Sequence, residues 1–295
     1  MDKQEHTQAH PSDRITWTKD RHESGVENFY GAGVENYGEY HGGYLNFGWW
    51  DEGCEDYLEA AQKLVHKMGV LLGLDKDSKL IDVACGMAPQ DVYLRKNFGS
   101  TIDAVDVTWK HVEIARKRME REQLGDGVRV HHGTATDLPF QENSFSHVMS
   151  IEGPEHFDTR EAFFKQAFKV LEPGGVMALA DYSLKRAPRT YWERFVVMAA
   201  QKLWHVPDAN VYDNDVYRSK LESAGFTKIS MDEVGKYTIP DYYFLNKKWE
   251  TLRQMRKIRG WIAAYGGFFV DYFMYKAFKD GLIEYVLVRA EKPAD

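Results

Sequence analysis

Between residues 79 and 182, short apolar runs alternate with stretches in which apolar residues recur every three or four positions. The short runs predict strands and the longer stretches predict helices. Strands separated by helices in this way indicate a parallel α/β sheet, buried on both faces. The strands are predicted at residues 79–84, 101–107, 128–132, 146–151 and 176–182. The helices between them are predicted at residues 92–98, 109–124 and 161–171.

The two flanks of this region have different patterns. Residues 1–24 are polar and aperiodic, which predicts a flexible tail. Residues 25–77 combine a run rich in glycine and aromatic residues with a helical period, and we expect them to form an N-terminal helical lid.

After residue 182 the chain becomes helical and aromatic, with two further strands. Helices are predicted over residues 188–224 and 241–278, and strands over residues 226–234 and 282–290. We therefore expect residues 78–182 to form a ligand-binding α/β core. Residues 183–295 are expected to complete the sheet and to add helical cap insertions rich in aromatic side chains.

Composition and charge narrow the classes of function. The 295 residues include 38 basic and 45 acidic ones, a net charge of −7, which argues against nucleic acid as a partner. Two cysteines cannot form a disulfide framework, so we expect a cytoplasmic protein. No apolar stretch is long enough for a transmembrane helix, and the first residues lack the apolar core of a signal peptide.

The first predicted strand leads into a loop with the pattern of a nucleotide site. It reads Leu-Ile-Asp-Val-Ala-Cys-Gly over residues 80–86, and Asp106 follows at the end of the second strand. Such a loop brings the backbone close to a ligand at the carboxyl edge of the sheet. An acidic residue one strand away accepts hydrogen bonds from the ribose hydroxyls. Ala84 and Ala88 replace two glycines, which disfavours the pyrophosphate of NAD.

Further motifs follow in order. They are Gly-Thr-Ala-Thr-Asp-Leu-Pro-Phe at residues 133–140, Phe-Ser-His-Val at 145–148 and Leu-Glu-Pro-Gly-Gly at 171–175. With the loop and Asp106 they resemble class I S-adenosylmethionine-dependent methyltransferases. The aromatic N-terminal run and residues 281–285 resemble the branch that methylates sterols, tocopherols, terpenyl chains and sugar-bearing natural products. Thr134 and Ser146 stand where that family usually has aspartate.

The resemblance implies a Rossmann-like sheet, mostly parallel with an antiparallel final strand, and S-adenosyl-L-methionine as cofactor. It assigns cofactor contacts to Asp82, Ala84, Gly86, Asp106, Val107, His111, Thr134, Ala135 and Ile151. In the N-terminal segment, which folds over the cofactor in relatives, it points to Tyr30, Tyr37 and Trp49. No metal site is expected.

The candidate catalytic groups lie at the carboxyl edge of the sheet. They are Glu152, Glu155, His156 and Asp181. Similar natural-product O-methyltransferases place histidine and aspartate near residues 156 and 181, whereas similar terpenyl C-methyltransferases place glutamate near residue 152. A hydroxyl acceptor requires a general base, and an alkene carbon requires a stabilised cation followed by proton removal.

We therefore expect methyl transfer to a small hydrophobic natural product or lipid, in the first instance to a carbon of an isoprenoid chain. Methylation of a hydroxyl is the near alternative, and an NAD(P)-dependent oxidoreductase or a non-catalytic cofactor-binding protein are alternatives of other classes. Self-association into a homo-oligomer stays open. The basic run of Arg253, Arg256, Lys257 and Arg259 is interpreted as a solvated helix face or an anion site.

Overall fold

The computed structural model describes residues 21–31 and 41–294. The helices are Arg21–Gly31 (α1), Tyr57–Leu72 (α2), Pro89–Phe98 (α3), Trp109–Arg121 (α4), Arg160–Val170 (α5), Tyr191–Leu203 (α6), Asn214–Ser223 (α7), Ile239–Asn246 (α8) and Trp249–Lys279 (α9). The strands are Lys79–Val83 (β1), Thr101–Asp106 (β2), Val128–His132 (β3), Phe145–Ile151 (β4), Leu171–Leu184 (β5), Thr227–Glu233 (β6) and Ile283–Glu291 (β7). Short 3-10 turns occupy Pro154–His156, Asp208–Asn210 and Gly235–Tyr237.

The seven strands form one sheet in the order β3-β2-β1-β4-β5-β7-β6. Strands β1 to β5 pair in parallel, and β7 pairs antiparallel with both β5 and β6. The predicted Rossmann-like class I methyltransferase sheet, with its antiparallel final strand, is therefore confirmed.

The two faces of the sheet carry separate apolar cores, as the alternation of side chains in β1 requires. Leu80 packs with Leu64 and Met68 of α2 on one face. Its neighbour Ile81 packs with Phe163 of α5 on the other face. This arrangement buries β1 in the middle of the sheet and sends the loop after it to the carboxyl edge.

The structure changes several predicted boundaries. Helix α1 begins at Arg21, so residues 21–24 of the predicted tail are helical, while residues 1–20 lie outside the described part. The helical region 188–224 divides into α6 and α7, and the region 241–278 divides into α8 and α9. Helix α9 is itself interrupted at Gly260, where φ is 82° and ψ is 172°.

The elements needed for a site meet at one edge of the sheet. The loops after β1, β2 and β4 open there, at the carboxyl ends of parallel strands, where ligands bind in open α/β sheets. Helices α1, α8 and α9 cover the same edge and enclose a cavity with it. None of the helices in the described ranges has the length and apolar character needed to cross a membrane.

Candidate active site

Three residues of the loop after β1 adopt a left-handed backbone. The angle φ is 67° at Ala84, 55° at Gly86 and 56° at Ala88. Glycine reaches this region freely, whereas a residue with a Cβ atom loses roughly 1–2 kcal/mol there. The loop therefore keeps the tight course of a glycine-rich loop, although two of the expected glycines are alanines.

Asp106 lies at the end of β2, directly beside this loop. Its carboxylate accepts hydrogen bonds from the amides of Gly86 and Thr108, both at 2.8 Å. The Nδ1 atom of His111 lies 3.2 Å from the same carboxylate. Burial raises the pKa of Asp106, but His111 and the two amides outweigh it and hold this pKa below its ordinary value. Asp106 is therefore an ionised acceptor in the cavity wall.

Asp82 lies beneath the loop and does not belong to the cavity wall. Its Oδ2 accepts a hydrogen bond at 3.0 Å from Gln90, whose amide also donates to the carbonyl of Cys85 at 2.6 Å. Burial raises the pKa of Asp82 to about 7. Asp82 thus acts on the loop through Gln90, a wall residue that the sequence did not predict, because glutamine at a helix start carries no distinctive signal.

A further part of the cavity wall is formed by the segments after β2 and β3. Val107, Thr134 and Ala135 line it together with His111. The Thr134 hydroxyl lies 3.1 Å from that of Thr136, which places a small polar group where aspartate was expected.

Helix α1 covers the cavity, and two of its residues contact His156. Tyr30 OH lies 2.8 Å from His156 Nε2, and His22 Nε2 lies 2.8 Å from the His156 carbonyl oxygen. Both α1 residues line the cavity, whereas Tyr37 lies outside the described residues.

Trp49 is not part of the cavity wall. It is buried and stacks on Tyr237, with the ring centroids 4.5 Å apart. Phe47, two residues earlier, lines the cavity instead and stacks on Tyr242 at 4.0 Å. Aromatic richness alone could not separate the two positions, because both are largely buried and differ only in what covers them.

Glu152 stands at the end of β4 beside Ile151, and both line the cavity. Its Oε1 accepts hydrogen bonds from the amide of Phe47 and the hydroxyl of Tyr285, each at 2.8 Å. Burial raises the pKa of Glu152 to about 8, with a further contribution from the charge of Asp181. This carboxyl can therefore exchange a proton close to neutral pH.

The other predicted catalytic groups are arranged differently from the histidine–aspartate pair suggested by the sequence. Arg160 holds both oxygens of Asp181, at 2.8 and 2.9 Å, and Tyr217 OH donates to one of them at 2.8 Å. Asp181 is fully buried and does not belong to the cavity wall, so it does not orient His156. Burial lowers the pKa of His156 to about 4, which makes this imidazole a weak base.

Glu155 lies in the cavity wall next to His156, and its carboxyl interacts electrostatically with Asp181. Burial and the neighbouring Asp181 carboxylate raise the pKa of Glu155 well above its ordinary value. Both effects disfavour the ionised form of this carboxyl, which is the form that acts as a base.

The end of the cavity beneath the cap helices is aromatic and contains one polar pair. Tyr182, Trp204 and Phe268 line the cavity, as does the pair formed by Asn246 and Asp271. Asn246 Nδ2 donates to Asp271 Oδ2 at 2.8 Å, while the buried Asn246 Oδ1 has no partner among the described residues. Burial raises the pKa of Asp271 to about 7. No sequence motif identifies this pair, since its members are 25 positions apart on two helices.

The wall residues fit the successive parts of S-adenosylmethionine. The left-handed loop would hold the methionine part, Asp106 the ribose, and Val107 with Thr134 the adenine. The buried Nε2 of His111 has no partner among the described residues and lines the cavity beside Asp106, so it can serve the same ribose.

Comparison with known proteins agrees with this reading of the site. Residues 81–179 match the family model of a methyltransferase domain. This match and the curated methyltransferase relatives support a class I methyltransferase that acts on small molecules, with S-adenosylmethionine as its cofactor. This result decides against the oxidoreductase and the non-catalytic alternatives.

Two curated relatives methylate oxygen according to their names. The chain is 34% identical over 198 residues to erythromycin 3''-O-methyltransferase of Saccharopolyspora erythraea, an alignment that covers 65% of each chain. It is 27% identical to 27-O-demethylrifamycin SV methyltransferase of Amycolatopsis mediterranei, over 84% of this chain and 90% of that one.

Among solved structures, geranyl diphosphate C-methyltransferase from Streptomyces coelicolor A3(2) has the same fold. The superposition has a TM-score of 0.73 and covers 92% of this chain and 98% of that one. Sequence identity is only 16%, so this likeness concerns the fold and carries no information on the acceptor.

Proposed function

We propose that the protein methylates a hydroxyl oxygen of a small hydrophobic natural product. This reverses the order of the two candidates drawn from the sequence, where carbon methylation of an isoprenoid came first. The observation that carries the proposal is Glu152, a carboxyl with a pKa near 8 in the wall of the cavity. The two curated relatives named for oxygen methylation support the same choice.

Glu152 is held in a way that suits a general base. Its two hydrogen bonds, from Phe47 and Tyr285, both end on Oε1, and no described residue donates to Oε2. The base can therefore act through Oε2 without losing either contact. A carboxyl whose pKa lies near the working pH combines a useful fraction of the basic form with enough basicity to accept a proton.

Bound S-adenosylmethionine supplies a methyl group on a positively charged sulfur. Ile151 and Glu152 lie at the end of β4, where the resemblance places that sulfur. As the acceptor oxygen bonds to the methyl carbon and the carbon–sulfur bond breaks, Glu152 Oε2 takes the hydroxyl proton. Positioning of the two reactants by the cavity wall supplies much of the remaining acceleration.

The cap end of the cavity suits an apolar acceptor with a polar group. Tyr182, Trp204 and Phe268 offer apolar surface, and Asn246 Oδ1 together with Asp271 offers hydrogen-bond acceptors. A hydroxyl-bearing acceptor would satisfy these oxygens, whereas a plain isoprenoid chain would leave them unpaired and desolvated.

The test uses methyl-deuterated S-adenosylmethionine with two kinds of acceptor. One is a panel of hydroxylated polyketides that includes 27-O-demethylrifamycin SV, and the other is geranyl diphosphate. We expect the label in a methoxy group, identified by mass spectrometry and NMR. Label on a carbon of geranyl diphosphate, with none on the hydroxylated panel, would overturn the proposal.

Glu152→Gln keeps the shape of the side chain and removes its basicity. We expect turnover to fall by about 10²–10⁴, the usual contribution of a general base, with the affinity for S-adenosylmethionine nearly unchanged. Tyr285→Phe is the matched comparison, because it removes one hydrogen bond to Glu152 but leaves the carboxylate. We expect it to lower turnover by about tenfold. Equal losses in the two variants would contradict the role of Glu152 as the base.

A further inference from the structure

A strongly basic segment lies on the outside of the cap. Residues 247–257, from the end of α8 into α9, include five basic residues and one acidic residue, in a chain with a net charge of −7. The five are Lys247, Lys248, Arg253, Arg256 and Lys257. Among the described residues, none of these five side chains forms an ion pair, so the positive charge of the basic segment is uncompensated.

One tryptophan lies within this basic segment and another follows it, and both are exposed to solvent. Trp249 is 61% exposed and Trp261 is 59% exposed. The guanidinium of Arg256 lies 4.5 Å from the ring centroid of Trp261. Tryptophan side chains next to basic residues favour the interface between water and lipid, where the ring meets the headgroups and the cation meets their phosphates.

Helix α6 and the last third of α9 carry an aromatic patch, which we define as Trp192, Phe195, Tyr272 and Phe273. Trp192 contacts Phe195 and Phe273 at centroid distances of 5.6 and 5.9 Å, and Phe273 contacts Tyr272 at 5.6 Å. Three of the four are exposed and Phe273 is half-buried. A connected exposed apolar surface of this kind marks an interaction site.

We propose that the basic segment and the aromatic patch form a surface that docks on membranes containing anionic lipids. Charge complementarity selects this occupant, because a two-fold contact between copies of the chain would bring two uncompensated basic segments together. The opposite side of the basic segment supports the proposal, since Thr251, Leu252 and Met255 line the cavity. A hydrophobic acceptor held in the bilayer would therefore lie next to the cap end of the site.

The experiment measures binding of the full chain to lipid vesicles without any acceptor, so its outcome does not depend on the proposed reaction. Vesicles of phosphatidylcholine alone are compared with vesicles of phosphatidylcholine mixed with phosphatidylglycerol, by sedimentation. We expect binding to the anionic vesicles only. Raising the salt from about 0.1 M to about 1 M shortens the Debye length from about 10 Å to about 3 Å and should release the protein.

Two variants identify the surface. Arg253→Glu combined with Lys257→Glu should weaken binding to anionic vesicles by about 30-fold or more. Each basic residue near such a surface raises the affinity by about a factor of five, and the two glutamates add repulsion. Trp249→Ala combined with Trp261→Ala should also weaken it. Unchanged affinity for S-adenosylmethionine, measured by calorimetry, reports that each variant is folded.

The matched control is Lys165→Glu combined with Lys169→Glu on α5. These two lysines are exposed, have the same spacing as Arg253 and Lys257, and change the net charge by the same amount. We expect this control to bind like the wild type. No preference for anionic vesicles, or equal loss in the control, would overturn the proposal. A concentration-dependent dimer that the tryptophan variant abolishes would also overturn it, by assigning the surface to a second copy of the chain.

Discussion

At the end of β4, Glu152 combines an unusual backbone with an unusual carboxyl. Its φ is 53°, in the left-handed region that residues with a side chain rarely adopt. Such a conformation costs about 1–3 kcal/mol and persists where the surroundings impose it. Here the Glu152 amide donates to the Ala180 carbonyl at 2.8 Å, while Phe47 and Tyr285 hold the carboxyl. Strain and function thus coincide at the residue we propose as the base.

The raised pKa of Glu152 predicts a proton release when S-adenosylmethionine binds. The free protein holds this carboxyl protonated at pH 7, because its pKa is about 8. A positive sulfur nearby favours the ionised form and lowers that pKa. Calorimetry in buffers of different ionisation enthalpy should therefore detect release of part of a proton with S-adenosylmethionine.

Two comparisons test whether the proton release depends on the positive charge of the ligand and on Glu152. S-Adenosylhomocysteine lacks the positive charge, so its binding should release a markedly smaller fraction of a proton. The Glu152→Gln variant should release no proton when either ligand binds. The same release with both ligands, or in the variant, would contradict the prediction.

The same carboxyl links folding stability to pH. In the unfolded chain it ionises near its ordinary value of 4.5, and in the folded protein near 8. Its neutral form is therefore favoured by folding. This contribution is fully present below about pH 4.5 and is lost as the pH rises through about 8.

At the scale of elements, the described parts of the predicted N-terminal lid, residues 25–77, have different roles. Helix α1 contacts the site through His22 and Tyr30, which both bind His156. Residues 41–50 belong to the apolar core, and within them Phe47 also lines the cavity and donates to Glu152. Their buried aromatic residues are Tyr44, Phe47, Trp49 and Trp50.

Deletion of residues 1–31 should therefore remove the lid and leave the sheet folded. We expect methyl transfer to fall by about 10²-fold, because water enters the cavity and the reactants lose their positioning. Circular dichroism should show a cooperative thermal transition close to that of the full chain. Full turnover after this deletion would rule out α1 as the lid.

Deletion of residues 1–50 is the contrasting variant. It also removes the four buried aromatic residues, each of which contributes about 1.5–3 kcal/mol through burial. We expect this shorter chain to lose its cooperative transition. A folded product would mean that residues 41–50 are not part of the core.

At the scale of the whole molecule, a buried ion pair joins separate elements of the fold. Arg160 at the start of α5 and Asp181 of β5 are both almost completely buried. Arg160 also donates to the Tyr182 carbonyl at 2.8 Å, and Tyr217 of α7 donates to Asp181. This network holds β5 and two helices behind the catalytic edge.

Arg160→Met should destabilise the protein by about 3–5 kcal/mol, because it leaves the Asp181 carboxyl buried without its cation. Lys63→Met is the control, since Lys63 forms partly exposed surface ion pairs with Asp51 and Glu59, each worth at most about 1 kcal/mol. Denaturant unfolding measures both changes. An Arg160 variant as stable as the control would show that the buried pair does not hold these elements.

The sheet and the cofactor loop could be predicted from the sequence because both depend on local patterns. Apolar periodicity identifies β1 and α2 whatever they pack against. The interval from Gly86 to Asp106 is the length of one helix and one strand, so it places the two residues side by side in a parallel sheet. Even the exchange of glycine for Ala84 and Ala88 left this pattern recognisable.

The acceptor end of the site was decided by tertiary structure alone. Glu152 follows β4 and Asp181 lies near the end of β5, yet only Glu152 belongs to the cavity wall, because the Arg160 side chain from α5 binds the carboxyl of Asp181. Asn246 and Asp271 meet because α8 and α9 pack together. Which polar group faces a cavity depends on the element packed against it, and that element is distant in the sequence.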